Sequence, residues 1–140
     1  MTDKTKYCLG FAFNEKLTDV LLIEKQKPDW QKGKFNGIGG KIEGDELPIN
    51  AMVREFQEET GLFVPSHQWR YVVKMEGEDW IVYAYTCKTD DVFEANTETD
   101  EMVTLIGLDS LDKYNLISNL YWLIEMCLDK SINYTVTTKP

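Results

Sequence analysis

Glu55, Glu58 and Glu59 are three acids within one short stretch of chain, and acids at that spacing can hold a divalent cation. A helix turns by about 100° per residue, which puts them at roughly 0°, 300° and 40° around its axis, on one face and converging on one point. Like charges gathered there raise one another's proton affinity unless a cation neutralises them. An all-oxygen ligand set, with no His or Cys at ligand spacing, suits Mg²⁺, with Mn²⁺ as the next choice, over zinc. An E-x-x-E-E string alone also describes a solvated helix face supported by an Arg54 to Glu58 pair. The string is not alone, because Gly40, Glu46, Arg54, Glu55, Glu58, Glu59 and Gly61 stand at the spacing G-x5-E-x7-R-E-F-x-E-E-x-G-L. At average residue usage that pattern arises by chance on the order of once per 10⁸ start positions.

The whole segment Gly40–Leu62, GKIEGDELPINAMVREFQEETGL, resembles the Nudix box at every position usually treated as fixed. Phe56 stands where an aliphatic residue is commoner, yet it still faces the core, since Ile49, Met52, Val53 and Phe56 occupy about 60° to 160° of the same wheel. The resemblance implies an α/β fold, a Nudix-type α/β/α sandwich with a central mixed β-sheet. It also implies hydrolysis of a nucleoside diphosphate linked to another moiety, by water attack on phosphorus. Carried onto these positions, Glu58 and Glu59 are metal ligands, and the carbonyl of Gly39 or Gly40 completes the site. Glu55 is a further ligand or the general base. Arg54 holds a carboxylate in place, Glu46 ties the loop to the helix start, and Lys41 is placed to meet a phosphate. Glu101 precedes a predicted strand, as does a later catalytic and metal-binding glutamate in the nucleoside-triphosphatase branch of the family. Its plain alternative is a solvated acidic loop, given Asp90, Asp91, Glu94, Glu98 and Asp100 nearby.

The stretch Lys34–Lys41, KFNGIGGK, resembles the same branch, whose members include enzymes that remove oxidised purine triphosphates. In that branch the residue matching Asn36 contacts the base, and an aromatic six residues earlier, Trp30 here, lines the pocket, where an indole favours a planar base without choosing one. Ser118 and Asn119 depart from the oxidised-purine enzymes of that branch, in which an aspartate pair precedes a similar Tyr-Trp. They can hydrogen-bond a base edge but cannot share a proton as two carboxylates can, so base identity stays open. The expected reaction converts a nucleoside triphosphate, including an oxidised or modified purine dNTP, to a monophosphate and pyrophosphate. ADP-ribose, a nucleotide sugar, a dinucleotide or an RNA cap are the alternative substrates, and a catalytically silent nucleotide sensor is the alternative of another class. Kinase-like and dehydrogenase readings fail locally: Gly40-Lys41 is followed by Ile42, and Gly37-x-Gly39 lacks the third glycine.

These residues need a scaffold, and the periodicity supplies one. Residues 6–14 and 18–26 read as adjacent strands or a hairpin, followed by a glycine-rich loop and a helix over 47–60 opened by Pro48 and closed by Gly61. Residues 69–76 and 79–88 read as a second hairpin, 89–101 as an acidic loop and 102–108 as a strand. Asn115 is expected to cap a last helix carrying Leu116, Leu120, Leu123, Ile124 and Cys127, with part of the tail after Lys130 fraying.

With 140 residues, 43% of them apolar, the chain suits one domain over 1–140. A net charge of −9 opposes binding to duplex DNA or an anionic membrane, while a small nucleotide carried with its metal remains compatible. No run has the length of a membrane helix and the start lacks an apolar signal core, which predicts a cytoplasmic protein; a monomer and a homodimer are both open. Cys8, Cys87 and Cys127 are expected as buried reduced thiols, and His67, the lone histidine, as a surface or structural residue.

Overall fold

The computed structural model describes residues 3–129, 131 and 136–138. Along β1 (Thr5–Phe13), Leu9, Phe11 and Phe13 enter one apolar layer while Cys8 and Ala12 enter another. β2 (Asp19–Glu24) does the same, with Val20 and Leu22 on one face and Leu21 and Ile23 on the other. Strands buried on both faces belong inside a sheet covered on both sides.

The remaining elements meet that demand. They are β3 (Phe35–Asn36), β4 (Ile38–Lys41), α1 (Pro48–Thr60), β5 (Arg70–Glu76), β6 (Trp80–Lys88), β7 (Val103–Gly107), α2 (Leu120–Leu128) and β8 (Val136–Thr138). The sheet runs β3-β2-β1-β6-β5-β8, with β4 also pairing with β1 and β7 with β2. β1–β6 and β5–β8 are parallel and the other pairs antiparallel, so the sheet is mixed. α1 covers one face through Ala51, Met52 and Phe56, and α2 covers the other through Leu120, Leu123 and Ile124. The result is the expected α/β/α sandwich.

Pro48 occupies the first turn of α1, where its missing N–H is no loss, and Gly61 ends the helix at φ 78°, a left-handed conformation that favours glycine. Phe56 is fully buried and meets Trp69 edge-on at 5.1 Å, which fixes the helix against the sheet. β5 and β6 form the second hairpin, with a register shift between Tyr71 and Val73. The acidic loop contains a short 3₁₀ turn, Asp90–Glu94, pinned by buried Val92.

The last helix differs from expectation. It begins at Leu120 rather than after Asn115, because the Asn115 carbonyl accepts from the Phe35 N–H at 2.8 Å and Leu116 pairs with Phe35. These residues are held as extended chain by a partner distant in sequence. In the tail, Val136–Thr138 lies beside β5, and fraying of the rest falls outside the described residues. All three cysteines are free and buried, and His67 is exposed. Among the described residues no helix is long and apolar enough to cross a membrane.

Candidate active site

β4 runs antiparallel to β1 with Cys8 opposite Gly40 and Leu9 opposite Gly39, which brings the glycines beneath α1. A Cβ on Gly39 would collide with the Cys8 carbonyl oxygen, and one on Gly40 would lie 2.5–2.7 Å from the Glu55 carboxylate. The missing side chains are what let the helix acids rest on the strand. Glu59, only 8% exposed, accepts a hydrogen bond from the Gly39 N–H at 3.1 Å. The loop thus reaches this carboxylate through an amide donor, the Gly39 N–H.

Arg54 organises the other acids. Its Nε and Nη2 donate to Glu46 at 2.7 and 2.9 Å, and its Nη1 donates to Glu55 at 2.9 Å and to Glu58 at 3.2 Å. Nη2 also reaches the Lys41 carbonyl at 3.2 Å, while Glu46 accepts from the Glu43 N–H at 3.1 Å and so joins loop to helix. The expected convergence on one point is modified by these bonds. Glu55, Glu58 and Glu59 do share a face, but the first two turn to Arg54 and the third to Gly39. Among the described residues no three acidic, His or Cys side chains stand together as a cation cage. A guanidinium has enough donors to hold several carboxylates apart.

The electrostatics show a site short of positive charge. Burial, reinforced by the charge of Glu55, pushes the Glu59 carboxyl up to about 8. Burial also raises Glu55, with Arg54 opposing it. Glu46, bonded to Arg54, is held below the usual carboxylate range. The donor set is all oxygen and two of its members are costly to ionise, so Glu55, Glu58 and Glu59 fit a hard divalent cation.

Glu101 is brought to the same place from the far side of the fold. It is buried, and its Oε1 accepts from Lys25 Nζ at 3.0 Å while its Oε2 accepts from the Gln26 and Lys27 amides at 2.7 and 3.3 Å. Burial opposes its charge, but these donors outweigh burial and leave its proton affinity low. Lys25 and Glu101 act on the Glu59 proton affinity in opposite senses, which places both in its field. Lys25 gave no signal in the sequence beyond its position after an apolar strand.

A cavity of about 600 Å³ adjoins this cluster, and Lys25, Gly39 and Gly40 belong to its wall. Trp30, Gln31, Asn36 and Asn119 line it as well, with Met75, Trp80 and Ile117 providing apolar surface. Trp30 is 63% exposed, leaving its indole free to meet a ligand. Asn36 donates to Gln31 at 3.3 Å and accepts from the Gly37 N–H at 2.8 Å, so its orientation is set. Asn119 Oδ1 is buried with no hydrogen-bond partner, and its amide nitrogen meets only the Met75 sulfur at 3.8 Å. A buried unpaired acceptor costs about 1–3 kcal/mol, a penalty that a donor on a ligand would offset. Ser118 and the Lys41 side chain are exposed and do not line the cavity. Sequence reasoning did not single out Gln31, Met75, Trp80 or Ile117. Gln31 could have been found from its place beside Trp30, and the Gly77 turn could have pointed to Met75 and Trp80.

A mixed sheet between helices, with acids from one helix resting on a glycine strand beside a ligand-sized cavity, defines the class of protein. The family described as NUDIX domain matches residues 7–121, and this chain belongs to it. An oxidized purine nucleoside triphosphate hydrolase from Danio rerio is 32% identical over 84 residues, a segment covering 59% of this chain and 54% of that relative. The match thus spans about half the length of that curated relative. A NUDIX family hydrolase from Clostridium perfringens superposes with a TM-score of 0.74 at 21% identity, covering 91% of this chain and 97% of the other. The NUDIX domain of Shewanella oneidensis NrtR, solved in complex with ADP ribose, superposes with a TM-score of 0.75 at 16% identity, covering 94% and 91%. Both share the fold.

Proposed function

We propose that the chain, as one domain over 1–140, hydrolyses a nucleoside triphosphate to a monophosphate and pyrophosphate with Mg²⁺, or Mn²⁺ in its place. Oxidised or modified purine dNTPs are the first substrates to try, in keeping with the Danio rerio relative. The observation that carries this reading is one continuous cavity whose wall runs from Trp30, Asn36 and Asn119 to Gly39 and Gly40 beside the carboxylates. A planar base and a charged phosphate chain can occupy its two ends together. The net charge of −9 opposes duplex DNA and an anionic membrane and is compatible with a small nucleotide carried with its metal; a cytoplasmic location is part of the same reading. The same chemistry serves a monomer or a homodimer.

In the reaction a water oxygen forms a new P–O bond and the α–β bridging P–O bond breaks. Attack at either the α or the β phosphorus gives the same two products. When bound, the cation offsets the negative charge on the phosphate oxygens as the bond breaks. Glu58 and Glu59 would hold it, with Glu55 as a further ligand or the general base, and Arg54 fixes the carboxylates. Glu55 is a better proton acceptor than Glu101, because burial raises its proton affinity while three donors lower that of Glu101. Glu101 then serves as a ligand.

The second reading is hydrolysis of ADP-ribose, favoured by the ligand in the Shewanella oneidensis structure. A product assay over normal and oxidised (d)NTPs, ADP-ribose, nucleotide sugars, dinucleotides and capped RNA separates the two. Pyrophosphate from a triphosphate, reduced by about 100-fold or more in Glu58→Gln, is the expected result. Two monophosphates from ADP-ribose, with no triphosphate cleaved, would transfer the assignment. Folded protein that binds nucleotide without turning it over would instead be a sensor.

A further inference from the structure

Lys25 follows β2 and turns its amine inward, 3.0 Å from Glu101 Oε1, with 18% and 6% of the two side chains exposed. A lysine so covered needs a strong partner. The second Glu101 oxygen is already taken by the Gln26 and Lys27 amides, so the ammonium is the one full positive charge on that carboxylate. It also favours the ionised form of Glu59, which lies on α1. Arg54 is committed to Glu46, Glu55 and Glu58 at the other end of the cluster. Each end therefore has its own internal cation, and only Lys25 also lines the cavity.

We propose that Lys25 is a resident counter-cation that a divalent metal displaces from Glu101, and that the released ammonium then faces the substrate's phosphates across the cavity. This rests on the reading of Glu59 and Glu101 as metal ligands. The physical reason is competition. A divalent ion at these carboxylates repels the ammonium and removes the negative charge that kept it there. A half-buried ammonium without its carboxylate needs another anion, and a phosphate chain entering the cavity supplies one. Metal and nucleotide then favour each other's binding through the position of one side chain, and the coupling must be reciprocal. Lys25 is a positioning residue in the metal-free state and a substrate contact in the loaded one.

The test is Mn²⁺ binding without nucleotide, measured by titration calorimetry on the whole chain for wild type, Lys25→Met and Lys25→Arg. Removing the competing charge is expected to tighten Mn²⁺ binding on the order of tenfold in Lys25→Met, with Lys25→Arg near wild type. With Mn²⁺ present, a non-hydrolysable triphosphate analogue is expected to bind Lys25→Met more weakly than wild type. Unchanged or weaker Mn²⁺ binding in Lys25→Met, with only its melting temperature lowered, would reduce Lys25 to a structural ion pair. The wild-type protein gives a second measurement that needs no variant: the ¹H–¹⁵N signal of the Lys25 ammonium should move on Mg²⁺ addition. A signal unchanged at Mg²⁺ saturation would overturn the displacement. Wild-type protein that binds no Mn²⁺ would overturn the metal reading itself, a result distinct from metal binding indifferent to Lys25.

Discussion

Glu59 shows how one residue carries opposed demands. Its place over Gly39 buries it beside Glu55, and the folded metal-free protein keeps its proton up to about pH 8, whereas an ordinary glutamate releases it near 4.5. A folded-state pKa raised in this way contributes stability that is complete below about pH 4.5 and is lost as pH rises through about 8. In EDTA, the melting temperature of the wild type is therefore expected to fall across that window more steeply than that of Glu59→Gln. Glutamine keeps an acceptor for the Gly39 amide but has nothing to ionise. Added Mg²⁺ should flatten the wild-type curve. Parallel curves for the two proteins in EDTA would mean that Glu59 is ionised throughout. The same variant should lose most turnover at every pH, since removing one ligand cannot be offset by the others.

At the scale of the element, α1 has to be placed to within a fraction of an ångström for its acids to meet β4. Its ends are set locally by Pro48 and Gly61, and its depth is set by Met52 and Phe56 against the sheet. Phe56→Ala is expected to cost about 3–5 kcal/mol, because a fully buried ring leaves a cavity beside Trp69 that the sheet cannot close. Phe56→Leu, closer to the commoner family residue, should cost less than half as much. Urea denaturation measures both, and a loss under about 1 kcal/mol for the alanine variant would show that the helix does not rely on this contact. The α1 boundaries were legible because proline and glycine act on their own neighbourhood. The start of α2 was not, since Asn115 and Leu116 are drawn into pairing with Phe35, about eighty positions earlier in the chain.

The cavity belongs to the whole molecule, since its wall combines the 3₁₀ turn at Trp30, strands β1, β3 and β4, the β5–β6 hairpin and the segment before α2. Trp30→Ala is expected to raise KM for the preferred nucleotide by roughly 5- to 100-fold, the range of one base–aromatic stack, with kcat changed much less. Steady-state kinetics over several bases decide it. A fall in kcat as large as the rise in KM, with a lowered melting temperature, would make Trp30 an anchor for its turn.

The sequence by itself determined the acidic cluster, the glycine strand, the helix that bears them and the layered fold that the family resemblance implied. These are local matters: spacing along a helix, side chains absent from glycine and alternation along strands are written in consecutive residues. Tertiary structure alone decided which carboxylates Arg54 holds, that Lys25 reaches Glu101, that Asn119 but not Ser118 lines the cavity, and where α2 begins. Each of these depends on which distant segments the folded sheet brings together, and on the burial that results. No window of neighbouring residues contains that information.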